Sequence, residues 1–115
     1  MHDKEIEKMV KSQEERIEHS RDSDQYPFEL IHMGHIYSEM GDDDYAKKYY
    51  IEGLVCSGYI DNNTIVSPII NWYLRKGQRE EALRICREII LHNPENSIAR
   101  FYQNRLLYDG QYPEK

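Results

Sequence analysis

The sequence predicts an all-α fold of six helices folded back on one another as antiparallel hairpins. Three observations predict it. Apolar residues recur at three- and four-residue steps over most of 3–108, the period of a helix with one buried face. Gly41 and Gly77 each interrupt that pattern, and the next helical stretch begins within two residues, which leaves room only for a tight turn. Two stretches also repeat at one offset: Tyr37 and Tyr73, Gly41 and Gly77, Ala46 and Ala82, and Glu52 and Glu88 all lie 36 residues apart. Lys48 is matched by Arg84 and Leu54 by Ile90. Agreement at one offset across both helices of a hairpin marks an internal repeat. The expected helices span 3–21, 27–40, 43–57, 63–76, 79–92 and 96–108.

The first helix carries Ile6, Met9, Val10, Gln13 and Ile17 near one face. Four apolar residues make a thin stripe, so this helix must borrow a partner surface. On the opposite side Glu7 can meet Lys11 one turn later. The run Asp22-Ser23-Asp24-Gln25-Tyr26-Pro27 breaks the pattern with capping residues and a proline suited to a first helical turn. Leu30, Met33, Gly34 and Tyr37 form the stripe of the second helix, which Gly41 stops. Asp42, Asp43 and Asp44 then suit the positive end of a third helix, carrying Tyr45, Ala46, Tyr49, Tyr50, Gly53 and Leu54. Three adjacent carboxylates point in different directions, so a helix start accounts for them better than a cation site does.

After Asp61-Asn62-Asn63-Thr64 a fourth helix carries Ile69, Ile70, Tyr73 and Leu74 and stops at Gly77. Ser67-Pro68 could instead be its cap and first turn, which would shorten it. The fifth helix holds Ala82, Leu83, Ile85, Cys86, Ile89 and Ile90 and ends at His92-Asn93-Pro94. Asn96 or Ser97 can cap the sixth, with Ile98, Phe101, Tyr102, Leu106 and Leu107 as its apolar surface. Asp109-Gly110 ends it, and a short tail follows. Trp72 can be core, an interface anchor or partly exposed.

Composition limits the function classes. The chain has 115 residues, the size of one domain, with 39% hydrophobic and 31% charged residues. Its apolar runs are too short to span a membrane, and its charged N-terminus does not read as a signal peptide. A cytoplasmic protein is expected. The formal net charge is −6, with no basic stripe, so neither nucleic acid nor an anionic membrane is an expected partner. Cys56 and Cys86 sit in apolar sequence surroundings without a CxxC pairing. Two reduced structural thiols are expected, with a disulfide or redox pair as the alternative.

The hairpin residues resemble the tetratricopeptide repeat (TPR) family, whose units pair a helix bearing Leu-Gly and Tyr with a helix bearing Ala and an aromatic. The first unit reads Leu30-x-x-Met33-Gly34-x-x-Tyr37, then Ala46-x-x-x-Tyr50. The second reads Val66-x-x-Ile69-Ile70-x-x-Tyr73, then Ala82-x-x-x-Cys86, closing with Pro94. Ile70 stands where the first unit has Gly34, so wider helix packing is expected there, and Cys86 replaces an aromatic. The resemblance covers roughly 27–107. It implies a TPR-like α-solenoid, a right-handed superhelix of antiparallel hairpins. Within a single domain of 1–115, residues 1–25 would be a capping helix and linker, 27–60 and 63–96 the two repeats, and 97–115 a second cap and tail. Tyr37, Tyr50 and Tyr73 would fill gaps between successive hairpins.

The resemblance also implies a groove that binds a peptide or helix. Its expected lining is Phe28, Ile31, His32 and His35 from the first unit, Ser67, Asn71 and Arg75 from the second, and Phe101, Tyr102 and Arg105 from the last helix. Phe28, Ile31 and Phe101 would be apolar anchors, and Asn71, Arg75 and Arg105 polar orienters. One family branch clamps a C-terminal carboxylate with Lys, Asn and Arg. Here the matching positions hold Ile31, His35, Pro68, Ile98 and Tyr102, and none carries the required residue.

No nucleophile elbow, phosphate-cradling glycine loop or metalloprotease pair is present, so no catalytic residue, metal ligand or cofactor is expected. The expected function is that of a non-catalytic protein–protein interaction module, an adaptor or a small chaperone-like protein. The alternatives are a metal-binding or enzymatic helical protein using His32 and His35, within the run Glu29, His32, His35 and Glu39, and a self-assembling structural protein. Glu-x-x-His is a di-iron bundle motif, but such sites need a second copy and two further carboxylates. Two hairpins give a small core, which a homodimer would enlarge.

Overall fold

The structure is a computed structural model that describes residues 3–108. It contains α1 (Asp3–His19), α2 (Tyr26–Glu39), α3 (Asp43–Cys56), α4 (Asn63–Arg75), α5 (Arg79–His92) and α6 (Ser97–Tyr108), and no strand among the described residues. Every expected helix is present, with ends displaced by at most two residues. The stop expected at Asp109-Gly110 and the tail after it lie outside the described residues. No helix of the described residues is long and apolar enough to cross a membrane. The chain divides into two compact units, Met1–Ser57 and Gly58–Lys115.

In the first unit α2 folds back on α3, and α1 packs on α2. The buried face of the hairpin is Leu30, Ile31, Met33 and Ile36 from α2 with Ala46, Tyr50 and Leu54 from α3. Two glycines bring the helices together. A Cβ on Gly34 would stand 2.6 Å from the Tyr50 ring, and one on Gly53 would stand 2.8 Å from Ile31 Cδ1. Tyr37 stacks on Tyr49, with ring centroids 5.6 Å apart, and lies 4.9 Å from Tyr45. Tyr37 and Tyr50 are thus engaged inside their own hairpin, which the expectation of gap-filling between hairpins did not anticipate. The thin stripe of α1 is supplemented by a polar clip. Gln13 is buried, and its Nε2 donates to the Glu29 carbonyl at 2.9 Å and to Glu29 Oε1 at 2.7 Å.

In the second unit α4 packs on α5, and α6 packs on both. Ile65, Val66, Ile69, Ile70, Trp72 and Tyr73 are buried from α4, with Ala82, Cys86 and Ile89 from α5. Trp72 therefore belongs to the core. Pro68 lies inside α4, so the helix does not begin at Ser67-Pro68. The cap is Asn62, whose side chain accepts from Thr64 N at 2.8 Å. Pro68 leaves the Thr64 carbonyl without its usual i+4 donor. Cys86 is buried and Cys56 exposed, which corrects the shared apolar setting expected for the two thiols.

The repeat recurs as geometry. Gly41 and Gly77 both adopt left-handed backbone, at φ +83° and +74°. In both turns the next residue closes the helix: Asp42 N–H donates to the Tyr37 carbonyl and Gln78 N–H to the Tyr73 carbonyl, each at 2.9 Å. This six-to-one closure with a left-handed glycine is a Schellman stop. Ala46 and Ala82 are both 0% exposed. The large and small partners, by contrast, change helices between units. Gly34 and Tyr50 correspond at the 36-residue offset to Ile70 and Cys86, and Ile31 and Gly53 correspond to Ser67 and Ile89. Ile70 and Cys86 thus exchange the volumes of Gly34 and Tyr50, and α4 and α5 approach each other less closely than α2 and α3, the wider packing expected where Ile70 replaces the small residue.

Candidate binding site

In the second unit α4, α5 and α6 enclose an open cavity of about 240 Å³. Its walls include Asn71 and Leu74 from α4, Arg79 from α5, and Phe101, Tyr102 and Arg105 from α6. The cavity exists because α6 is fixed at its start. Asn96, fully buried, donates through Nδ2 to the carbonyls of Tyr59 (3.0 Å) and Ile60 (3.2 Å), while its Oδ1 accepts from Ala99 N at 2.9 Å. Of the two expected caps, the Ala99 hydrogen bond belongs to Asn96. Asp61 adds a second hold: its carboxylate accepts from Ser97 Oγ at 2.8 Å and from Ile98 N at 3.2 Å. Hydrogen bonds from Ser97 hold the Asp61 carboxyl below its usual range.

Within the cavity the polar groups are ordered by one another. Asn71 Nδ2 donates to Tyr102 Oη at 3.2 Å, and Tyr102 Oη donates to Ser67 Oγ at 3.4 Å. Arg79 Nη2 donates to the Leu106 carbonyl at 2.7 Å, in the last turn of α6. The Arg105 guanidinium lies 5.8 Å from the centre of the Phe101 ring. Phe101 is 55% exposed. Neither Arg79 nor Arg105 has a carboxylate partner among the described residues, whereas Arg84 is paired with Glu81 and Arg21 with Glu18. The site therefore combines two cations, a half-open aromatic face and ordered hydroxyl and amide groups.

Of the ten residues expected to line a groove, Asn71, Phe101, Tyr102 and Arg105 share this cavity, and Ser67 joins it through Tyr102. Arg75 is exposed but does not line it. In the first unit Phe28 is half-buried and His32 exposed. Ile31 is 3% exposed and packs at Gly53, so its expected role as an anchor for a partner is corrected: the glycine opposite draws the side chain into the hairpin. His35 Nδ1 and Tyr50 Oη are 2.7 Å apart. His32 and His35 border a separate cavity of about 330 Å³ with Ile6, Met9, Ile36 and Met40. Glu29 is turned toward Gln13 on α1. Among the described residues no three His, Cys, Asp or Glu side chains come together as a metal site.

Sequence reasoning missed Arg79. A signal was present: α5 begins at Arg79, and a cation at the positive end of a helix is electrostatically disfavoured unless it serves a contact elsewhere. A scan against protein-family models, a search of curated proteins and a search of solved structures each returned no match to this chain.

Proposed function

We propose that this chain is a non-catalytic protein–protein interaction module, an adaptor or small chaperone-like protein that holds a peptide segment between α4 and α6. In this reading the hairpins are TPR-like and belong to a right-handed superhelix. The 36-residue repeat, the two equivalent glycine stops and the buried Ala46 and Ala82 support that assignment. One observation carries the functional reading: Asn71, Phe101, Tyr102 and Arg105 converge on one cavity that is open to solvent. An exposed aromatic beside hydrogen-bonding groups that are already oriented is the composition of an interaction hot spot. A cavity of about 240 Å³ is small for a cofactor but holds one or two peptide side chains.

A random dodecapeptide library displayed on phage, selected against the immobilised full chain, tests the reading. Recovered peptides should lose binding to the Phe101→Ala variant while its melting temperature stays within a degree or two of wild type. Recovery of no peptide, or of peptides indifferent to Phe101, would overturn it.

A further inference from the structure

We infer that the cavity between α4 and α6 recognises an acidic side chain of a partner peptide, carried next to an apolar or aromatic residue. The inference rests on the peptide-binding reading above and assigns the chemistry of its ligand. Three observations carry it. Arg79 and Arg105 line the same cavity and neither meets a carboxylate among the described residues. Charge is also unevenly distributed: residues 1–57 hold 14 acidic and 7 basic side chains, whereas 58–115 hold 7 acidic and 8 basic. In a chain of net charge −6, two guanidiniums that line one concavity and make no ion pair among the described residues are a recognition feature. Finally, the arginines are braced rather than loose. Arg79 is tied to the Leu106 carbonyl, and Arg105 lies against Phe101. A planar guanidinium held in place offers paired donors matched to a carboxylate.

The remaining wall fixes the rest of the ligand. Leu74 and Phe101 give apolar surface beside the cations, which suits the stem of a glutamate or a neighbouring aromatic residue. The cavity is small and open, which suits one acidic side chain entering from a peptide that runs across it. Nucleic acid is disfavoured because the second unit carries only one excess positive charge in sequence and no basic stripe.

The dodecapeptide selection provides the first measurement. The displayed peptides have no free C-terminus, so any carboxylate selected belongs to a side chain. Glu or Asp should be enriched beside Phe, Leu or Tyr. A capped synthetic peptide of the recovered sequence should then bind the full chain about ten-fold more tightly than its Glu→Gln and Asp→Asn counterpart. Arg105→Ala should lose about ten-fold for the acidic peptide and almost nothing for the amide counterpart, and Arg105→Lys should recover part of the loss. Arg84→Ala, whose guanidinium is already paired, should change neither. Recovered peptides that are neutral or basic and still require Phe101 would overturn the acidic assignment and leave the peptide-binding reading standing. Recovery of no peptide would end both. Sedimentation equilibrium supplies a further check. A wild-type dimer that Arg105→Ala dissociates would make a second copy the occupant, and would overturn the assignment of a partner peptide.

Discussion

Asn96 shows how a single buried polar residue sets up a surface. Its amide donates to two carbonyls of the loop that precedes α4 and its oxygen caps α6, so three hydrogen bonds leave little of its polarity unmet. Asn93 Nδ2 adds a bond to the same Tyr59 carbonyl at 2.9 Å. Tyr59 itself has φ +57°, an uncommon conformation for a bulky residue, and its ring lies 4.2 Å from and nearly parallel to that of His92. Removing the Asn96 side chain would uncap α6 and take one donor from each of the Tyr59 and Ile60 carbonyls, which keep Asn93 Nδ2 and Asn62 N–H respectively. Asn96→Ala should cost about 1–3 kcal/mol, read from urea midpoints at constant slope. Because α6 carries Phe101, Tyr102 and Arg105, the same variant should weaken peptide binding through position rather than contact. Sequence alone offered Asn96 only as one of two possible caps. Its bonds to Tyr59 and Ile60 cross more than 35 residues of chain, and no local pattern encodes them.

At the scale of helices, the positions of all six were legible because periodicity, glycine stops and capping residues agreed. What was not legible was the direction of packing within each hairpin. Ile31 reads as a surface anchor until Gly53 is seen opposite it, and a glycine does not announce its partner. Four of the expected site residues did come together, because α4 and α6 present them at helical spacing along one side. Arg79 escaped notice because it comes from a third helix. The exchange of large and small residues between the two hairpins makes a direct test of the repeat. Gly34→Ile alone should overpack against Tyr50, and Tyr50→Cys alone should leave a cavity and forfeit the contact with His35. Together they place at these positions the residues found 36 positions later, Ile70 and Cys86, both buried in the second hairpin. The double variant should be less destabilised than the sum of the singles by more than about 1 kcal/mol. Strict additivity in the denaturant midpoints would mean that the two hairpins do not share a packing scheme.

Across the whole molecule, the perturbed titrations lean toward the alkaline side. Burial raises Cys86 to about 12 from an ordinary value of 9.0, and burial is likewise the main cause that raises Tyr73, Tyr37 and Tyr49. A thiol or phenol raised in the folded chain contributes its stability in full below the unfolded value. That contribution is lost as pH climbs toward the folded value, because the unfolded chain ionises first. Asp61 has the opposite sign: its lowered carboxyl contributes above the ordinary value of 3.8 and ceases to do so as pH falls through that region. Thermal stability should therefore hold level from about pH 6 to 8.5 and decline from pH 9 upward. Cys86→Ala separates the thiol from the phenols. The variant should start less stable at pH 8, having lost buried sulfur contacts, yet fall by a smaller amount between pH 9 and 11 than wild type. An identical alkaline decline in both proteins would assign the loss to the tyrosines and would mean that Cys86 reaches solvent before the fold opens.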